Sequence, residues 1–136
     1  MIGGKPLFPI IANSIESLTS NGTIHTFGIP CKCIPIRAGF IVTTTVTVTS
    51  PVLTFGAAGL AGTLTIPVNT AAGKCVYDDT DYIDAGTGEW VASLDEGDTV
   101  AVVLTTQATA GAGIPFLLVE LSPEMPGNNS AMVKSA

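Results

Sequence analysis

The sequence predicts an all-β domain, an antiparallel β-sandwich or jelly roll of about eight strands. Three observations carry that expectation. Short runs rich in valine, isoleucine, threonine and phenylalanine recur along the 136 residues. Turns bearing glycine, asparagine or aspartate separate them at intervals of roughly ten residues. No long stretch repeats apolar residues at helical spacing, and a parallel sheet would need crossover helices to connect its strands.

Taken in order, residues 1–22 predict an extended amino-terminal arm. Pro6 and Pro9 favour extended backbone, and Leu7, Phe8, Ile10 and Ile11 follow without clean polar alternation. "IIANSIESL" (10–18) comes nearest to a helical pattern, but it is short and the turn signal "TSNG" ends it. Strands are predicted over 23–27, 31–36, 40–50, 52–55, 63–68, 74–77, 90–93, 99–105 and 114–121. Between them stand "RAG", "GAAGLAG", "NTAAG", "DAGTG", "DEGD" and "TAGAG", all read as turns. The sandwich domain therefore spans 23–121, and the polar "SPEMPGNNSAMVKSA" (122–136) predicts a flexible carboxyl-terminal tail.

The most regular strand is "FIVTTTVTVTS" (40–50). Successive strand side chains point to opposite faces, so Val42, Val46 and Val48 share one face while Thr43, Thr45, Thr47 and Thr49 share the other. A buried face is what fixes the register of an alternating strand, and the valines are the residues to bury. The same parity places Leu64, Ile66 and Val68, and Val100, Val102 and Leu104, in the core.

Composition narrows the function classes. Hydrophobic residues make up 46% of the chain, charged residues only 12%, and the net charge is −6. The mean hydropathy is +0.52, high for a soluble monomer, and large exposed apolar patches mark interaction surfaces. Lys5, Lys32, Arg37, Lys74 and Lys134 are scattered singly, so no basic stripe exists to neutralise phosphates and no direct nucleic-acid contact is expected. The most membrane-like segment, 51–68, is bounded by Pro51 and Pro67 and rich in Thr and Gly, which suits two strands about a glycine loop rather than a spanning helix. No membrane partner is expected. The amino terminus reads as no secretion signal, and three cysteines suggest reduced thiols in a cytoplasm at synthesis.

The residues that could carry chemistry are few. His25 is the sole imidazole; in "TIHTF" it reads as a sheet-face histidine, without a partner pattern for nucleophilic catalysis. Cys31, Cys33 and Cys75 could join it in a zinc site, but C-x-C lacks the usual ligand spacing. Buried, apolar-acting thiols are the expectation. No catalytic residue, metal or cofactor is assigned. "YDDTDYIDAGTGE" gathers Asp78, Asp79, Asp81 and Asp84 beside Tyr77 and Tyr82, with Trp90 just beyond. It reads as a solvated acidic loop at the outer surface, able to meet a partner or a sugar through its aromatic faces.

One family resemblance joins these features. A proline and "AG" turn before the long strand (Pro35, Ala38, Gly39), "LTF" at 53–55, "GTLTIP" at 62–67, "AAG" at 71–73, "EGDTV" at 96–100 and a final strand closing with Pro123 resemble small jelly-roll decoration, or cement, proteins of tailed double-stranded DNA bacteriophage capsids. The resemblance covers roughly residues 23–123. It implies a non-enzymatic structural protein on the outer surface of the virion, made in the host cytoplasm. There it would act as a homodimer or homotrimer that clamps major capsid protein subunits. Leu7, Phe8, Ile10 and Ile11 are the candidate capsid or subunit contacts, with the arm ordering on assembly. The alternative is a phage tail or fibre-tip module that grips carbohydrate through Tyr77, Tyr82, Trp90 and the acidic loop.

Overall fold

A computed structural model of the chain describes residues 6–57, 60–78 and 93–121. Among these residues there are nine strands and no helix: β1 (Leu7–Ile11), β2 (Glu16–Ser17), β3 (Gly22–Gly28), β4 (Cys33–Thr47), β5 (Val52–Ala57), β6 (Leu60–Thr65), β7 (Cys75–Asp78), β8 (Thr99–Thr106) and β9 (Ala110–Leu121). They form two antiparallel sheets. The first runs β1-β9-β4-β7, with β2 also paired to β9, and the second runs β3-β8-β5-β6. The pairs β1–β9, β3–β8, β4–β7 and β5–β6 are nested about the β5–β6 hairpin, like one long antiparallel ribbon. Folding that ribbon across itself adds the pairs β9–β4 and β8–β5.

One apolar core lies between the sheets. Cys33, Phe40, Val42, Val46, Leu117 and Val119 enter it from the first sheet, and Phe27, Leu53, Phe55, Leu64, Val100, Val102 and Leu104 from the second. Each large side chain removed from water contributes about 1.5–3 kcal/mol. Ile66, just past β6, and Leu18, just past β2, seal the core and are fully buried.

Seven of the nine core positions read from strand parity are buried; Val48 and Val68 are exposed. Both lie beyond the ends of their strands. β4 stops at Thr47 and Val48 takes a positive φ of 74°. Val68 sits in the turn after β6, where Asn69 also adopts a left-handed φ of 72°.

The amino-terminal residues depart from the expected arm. Leu7–Ile11 is a strand in register with β9, from Leu7 opposite Glu120 to Ile11 opposite Phe116. Glu16 and Ser17 pair with Gly113 and Ala112, so "IIANSIESL" is extended and not helical. The alternation is invisible in "LFPII" because both faces of this strand are apolar. Pro9 is tolerated because β1 is an edge strand, where a missing N–H disrupts no ladder.

Three presumed turns are also strand, wholly or in part: of "GAAGLAG", Gly56 and Ala57 belong to β5 and Leu60, Ala61 and Gly62 to β6. "RAG" lies inside β4, so the separate strands expected over 31–36 and 40–50 are one strand of 15 residues. The register shifts between Pro35 and Arg37; this bulge accommodates a proline within a paired strand. "TAGAG" mostly belongs to β9. Gly39 and Gly113 are small because aromatic rings lie over them. A Cβ on Gly39 would collide with the ring of Phe116, and one on Gly113 with the ring of Phe40 and the carbonyl oxygen of Ile41.

Of the strand expected over 90–93, residues 90–92 lie outside the described residues and Ser93 is in no strand, while Leu94 bridges to Cys33. The tail over 122–136 lies outside them as well.

Candidate interaction surface

Because β-strand side chains alternate, the register that buries Leu117 and Val119 turns Phe116, Leu118 and Glu120 outward. The outer face of the first sheet can thus be read as rows across its strands. Leu7, Glu120 and Ile34 form one row; Pro9, Leu118 and Arg37 the next; Ile11, Phe116, Gly39 and Tyr77 a third; Ile114, Ile41 and Cys75 a fourth. Leu7, Ile11 and Tyr77 are more than half exposed, while the residues on the central strands are partly buried. Arg37 and Glu120 are the only charged residues in these rows. The Arg37 guanidinium carbon lies 4.2 Å from the centre of the Tyr77 ring, a cation–π distance. Oε1 of Glu120 is out of water and has no hydrogen-bond partner among the described residues.

The outer face of the second sheet has a different chemistry. Register places Thr63, Thr54, Val103 and Thr23 in one row across β6, β5, β8 and β3, with Gly56, Ala101 and Thr26 in the next. Thr65 and Thr105 extend it, and no Asp, Glu, Lys or Arg stands on these strands' described outward positions. Threonine keeps the β-branched packing that suits a sheet while presenting a hydroxyl. The result, among the described residues, is an uncharged, hydroxyl-bearing surface.

Charged side chains meet at one end of the sandwich. In the turn before β8, the backbone N–H of Asp95 donates to Oδ2 of Asp98 (2.9 Å), and Gly97 supplies the positive φ of 92°. Lys32 reaches Asp95 at 3.8 Å, an exposed pair worth little in water.

The sequence's candidate residues fall unevenly on this frame. Leu7 and Ile11 are on the apolar outer face; Phe8 and Ile10 turn inward and pack on the core. Tyr77 is on the outer face at the β7 edge, with one side of its ring taken by Arg37. Asp78 ends β7, and Asp79, Asp81, Tyr82, Asp84 and Trp90 lie outside the described residues. Nothing in the residue types of β9 marks its outer face: Ile114, Phe116 and Leu118 alternate with Pro115, Leu117 and Val119, every residue in that run is apolar, and only the register separates the two sets.

His25 lies midway along β3, an edge strand of the second sheet, opposite Val102. Its Nδ1 lies 3.2 Å from Oε2 of Glu16, which also accepts a 2.6 Å bond from Ser14 Oγ. Its ring meets Phe27 edge-on, with centroids 4.7 Å apart. Ser14 and His25 both address the carboxylate, so the hydroxyl is not delivered to the imidazole as acyl-transfer chemistry requires.

The cysteines are free and differ in environment: Cys33 is buried, Cys31 intermediate and Cys75 exposed. Exposure of Cys75 corrects the expectation of three buried thiols; β7 is an edge strand and the Cys75 side chain points to its outer face. Burial pushes the Cys33 thiol up to about 11, with Cys31 and Asp98 adding to the effect. Burial, then Glu96, raises Cys31 as well. Among the described residues no three His, Cys, Asp or Glu side chains converge as metal ligands, and no helix is long and apolar enough to cross a membrane.

No family model matches the sequence, and neither curated proteins nor solved structures give a significant match.

Proposed function

We propose that this chain is a non-enzymatic structural protein, a capsid decoration or cement protein that binds the outer surface of a phage head and ties major capsid subunits together. One observation carries the reading: among the described residues the outer face of the second sheet bears no charged side chain and that of the first sheet only Arg37 and Glu120, although the chain as a whole carries −6. A solitary domain in water gains nothing from two such faces. A domain inserted among shell subunits covers both, and each weak contact is multiplied by repetition on a lattice.

The nested strand pairs and the orders β1-β9-β4-β7 and β3-β8-β5-β6 support a jelly roll, an architecture used in viral capsids and also in lectins. Architecture does not choose between these uses; the faces do. Tyr77, the described aromatic of the acidic loop, already has Arg37 stacked on its ring, which leaves less of it for a sugar.

The test is addition of the purified chain to tailed-phage heads that lack it. Saturable binding at a fixed ratio per capsomer, with a higher temperature of head disruption, is expected. Absence of saturable binding refutes the proposal, and binding to a glycan array instead would favour the carbohydrate module.

A further inference from the structure

We propose that Val48 is the anchor by which one end of the sandwich seats in an apolar socket of a capsid subunit. The choice of a capsid subunit rests on the cement reading; the anchor is read from the backbone.

By strand parity Val48 should follow Val42 and Val46 into the core. It turns away instead at the end of β4, where the N–H of Thr49 donates to the carbonyl oxygen of Thr47 (3.0 Å) across a φ of 74°. This is a γ-turn of the rare, strained hand, and a β-branched residue is poorly suited to its centre. Closing the turn does not need valine. Glycine or asparagine reaches a left-handed φ at lower cost, and the neighbouring loop uses one of them, with Asn69 at φ 72°. Nor does packing within the chain offset the strain, since Val48 is 74% exposed. A strained backbone that holds an apolar side chain in water points to a contact outside the chain.

The turn is held in place from several sides. The Thr47 carbonyl oxygen also accepts from the N–H of Thr109 (3.3 Å), and the N–H of Asn69 donates to the carbonyl oxygen of Val46 (2.8 Å). The N–H of Val68 donates to Oγ of Ser50 (2.9 Å), so the loop carrying the exposed Val68 is tied to the loop carrying Val48. An anchor fixed before contact loses little freedom on binding.

The chemistry of this end indicates the partner. Its loops, 48–51, 66–73 and 107–109, contain no Asp, Glu, Lys or Arg and no aromatic residue. Lys32, Asp95, Glu96 and Asp98 stand at the opposite end, before β4 and β8. Phosphates are neutralised by cations, sugars meet aromatic faces, and membrane interfaces draw on Trp, Lys and Arg. None of these is present. Two exposed valines beside the exposed Thr49 and Asn69 match a protein socket with an apolar floor and a polar rim. Seating by this end also brings both sheet faces alongside neighbouring subunits.

The test measures binding of the purified full chain and its variants to tailed-phage heads that lack it, beside urea unfolding of each. Val48→Asn and Val48→Gly keep the turn and remove the anchor. Val48→Asn is expected to raise the urea midpoint while weakening head binding at least about tenfold, roughly 1.4 kcal/mol, and Val48→Gly weakens binding to the same extent. Glu96→Gln, at the opposite end, leaves binding unchanged. Opposite movement of stability and binding is the signature, because a side chain kept for the fold would lose stability when replaced.

A Val48→Asn chain that binds heads as tightly as its parent overturns the anchor and leaves the cement reading standing. A parent chain that does not bind heads sinks the cement reading and the anchor together. Binding of the parent, but not of Val48→Asn, to phosphatidylcholine vesicles would give this end to a membrane, also against the proposal.

Discussion

Gly39→Ala is the sharpest probe of how the first sheet is assembled. A Cβ at this position falls on the ring of Phe116, with Cε1 2.8 Å away and two further ring carbons closer still. Overpacking of this kind costs typically about 1–3 kcal/mol, and here the obstacle is a side chain that is only partly buried and free on its outer side. Removing the ring should remove the penalty. In a Phe116→Leu background, Gly39→Ala is expected to be neutral or stabilising by about 0.5 kcal/mol, because alanine restricts the unfolded chain more than glycine does. The coupling between the two sites is then about 2 kcal/mol. Gly113 is the control, since its Cβ would meet the main-chain carbonyl oxygen of Ile41 as well as the Phe40 ring. Gly113→Ala should therefore cost more than about 3 kcal/mol, and Phe40→Leu should not rescue it. Urea unfolding followed by far-ultraviolet circular dichroism, at one fixed protein concentration, measures all six variants. Additivity of Gly39→Ala and Phe116→Leu within about 0.5 kcal/mol, or rescue of Gly113→Ala, would refute the reasoning.

Two other consequences are open to direct measurement. The buried Cys33 thiol has its pKa raised from an ordinary 9.0 to about 11, so its contribution to stability is intact below about pH 9. It is lost as pH climbs through about 11, where the unfolded thiol ionises first. The loss amounts to about 2–3 kcal/mol, and Cys33→Ala should flatten this part of a stability profile taken from pH 8 to 11; an unchanged slope contradicts the assignment. Val48, exposed and held at φ 74°, is strained for a β-branched residue. Val48→Asn should raise the unfolding free energy by about 1 kcal/mol, and a loss of stability would show that the side chain is needed for something else.

Much of the fold was legible because alternation of apolar and polar residues marks a strand with one wet face. Val100, Val102 and Leu104, with threonines at Thr99 and Thr105, read out the inner face of β8 unaided. The reading failed where a strand has two apolar faces. β1 and the middle of β9 show no alternation, so "LFPII" passed for an arm. Glycine misled in the same region: at Gly39 and Gly113 it marks an overlying ring, whereas at Gly97 it marks a turn. A glycine's neighbours in space decide between those meanings, and they lie about 75 positions away in the chain, as the β4–β9 register requires.

What the sequence determined by itself was the class of the protein: all-β, weakly charged, with cores set by the parity of Val42, Leu64 and Val102. These are local properties, fixed by side-chain type and the two-residue period of a strand. Only the tertiary structure decided the nested pairing, the place of Leu7 and Ile11 on an outer face, and the separation of an apolar face from a threonine face. Strand order is set by long-range hydrogen bonding, and a face exists only once residues as distant as Leu7, Arg37, Tyr77 and Glu120 have been brought onto one sheet.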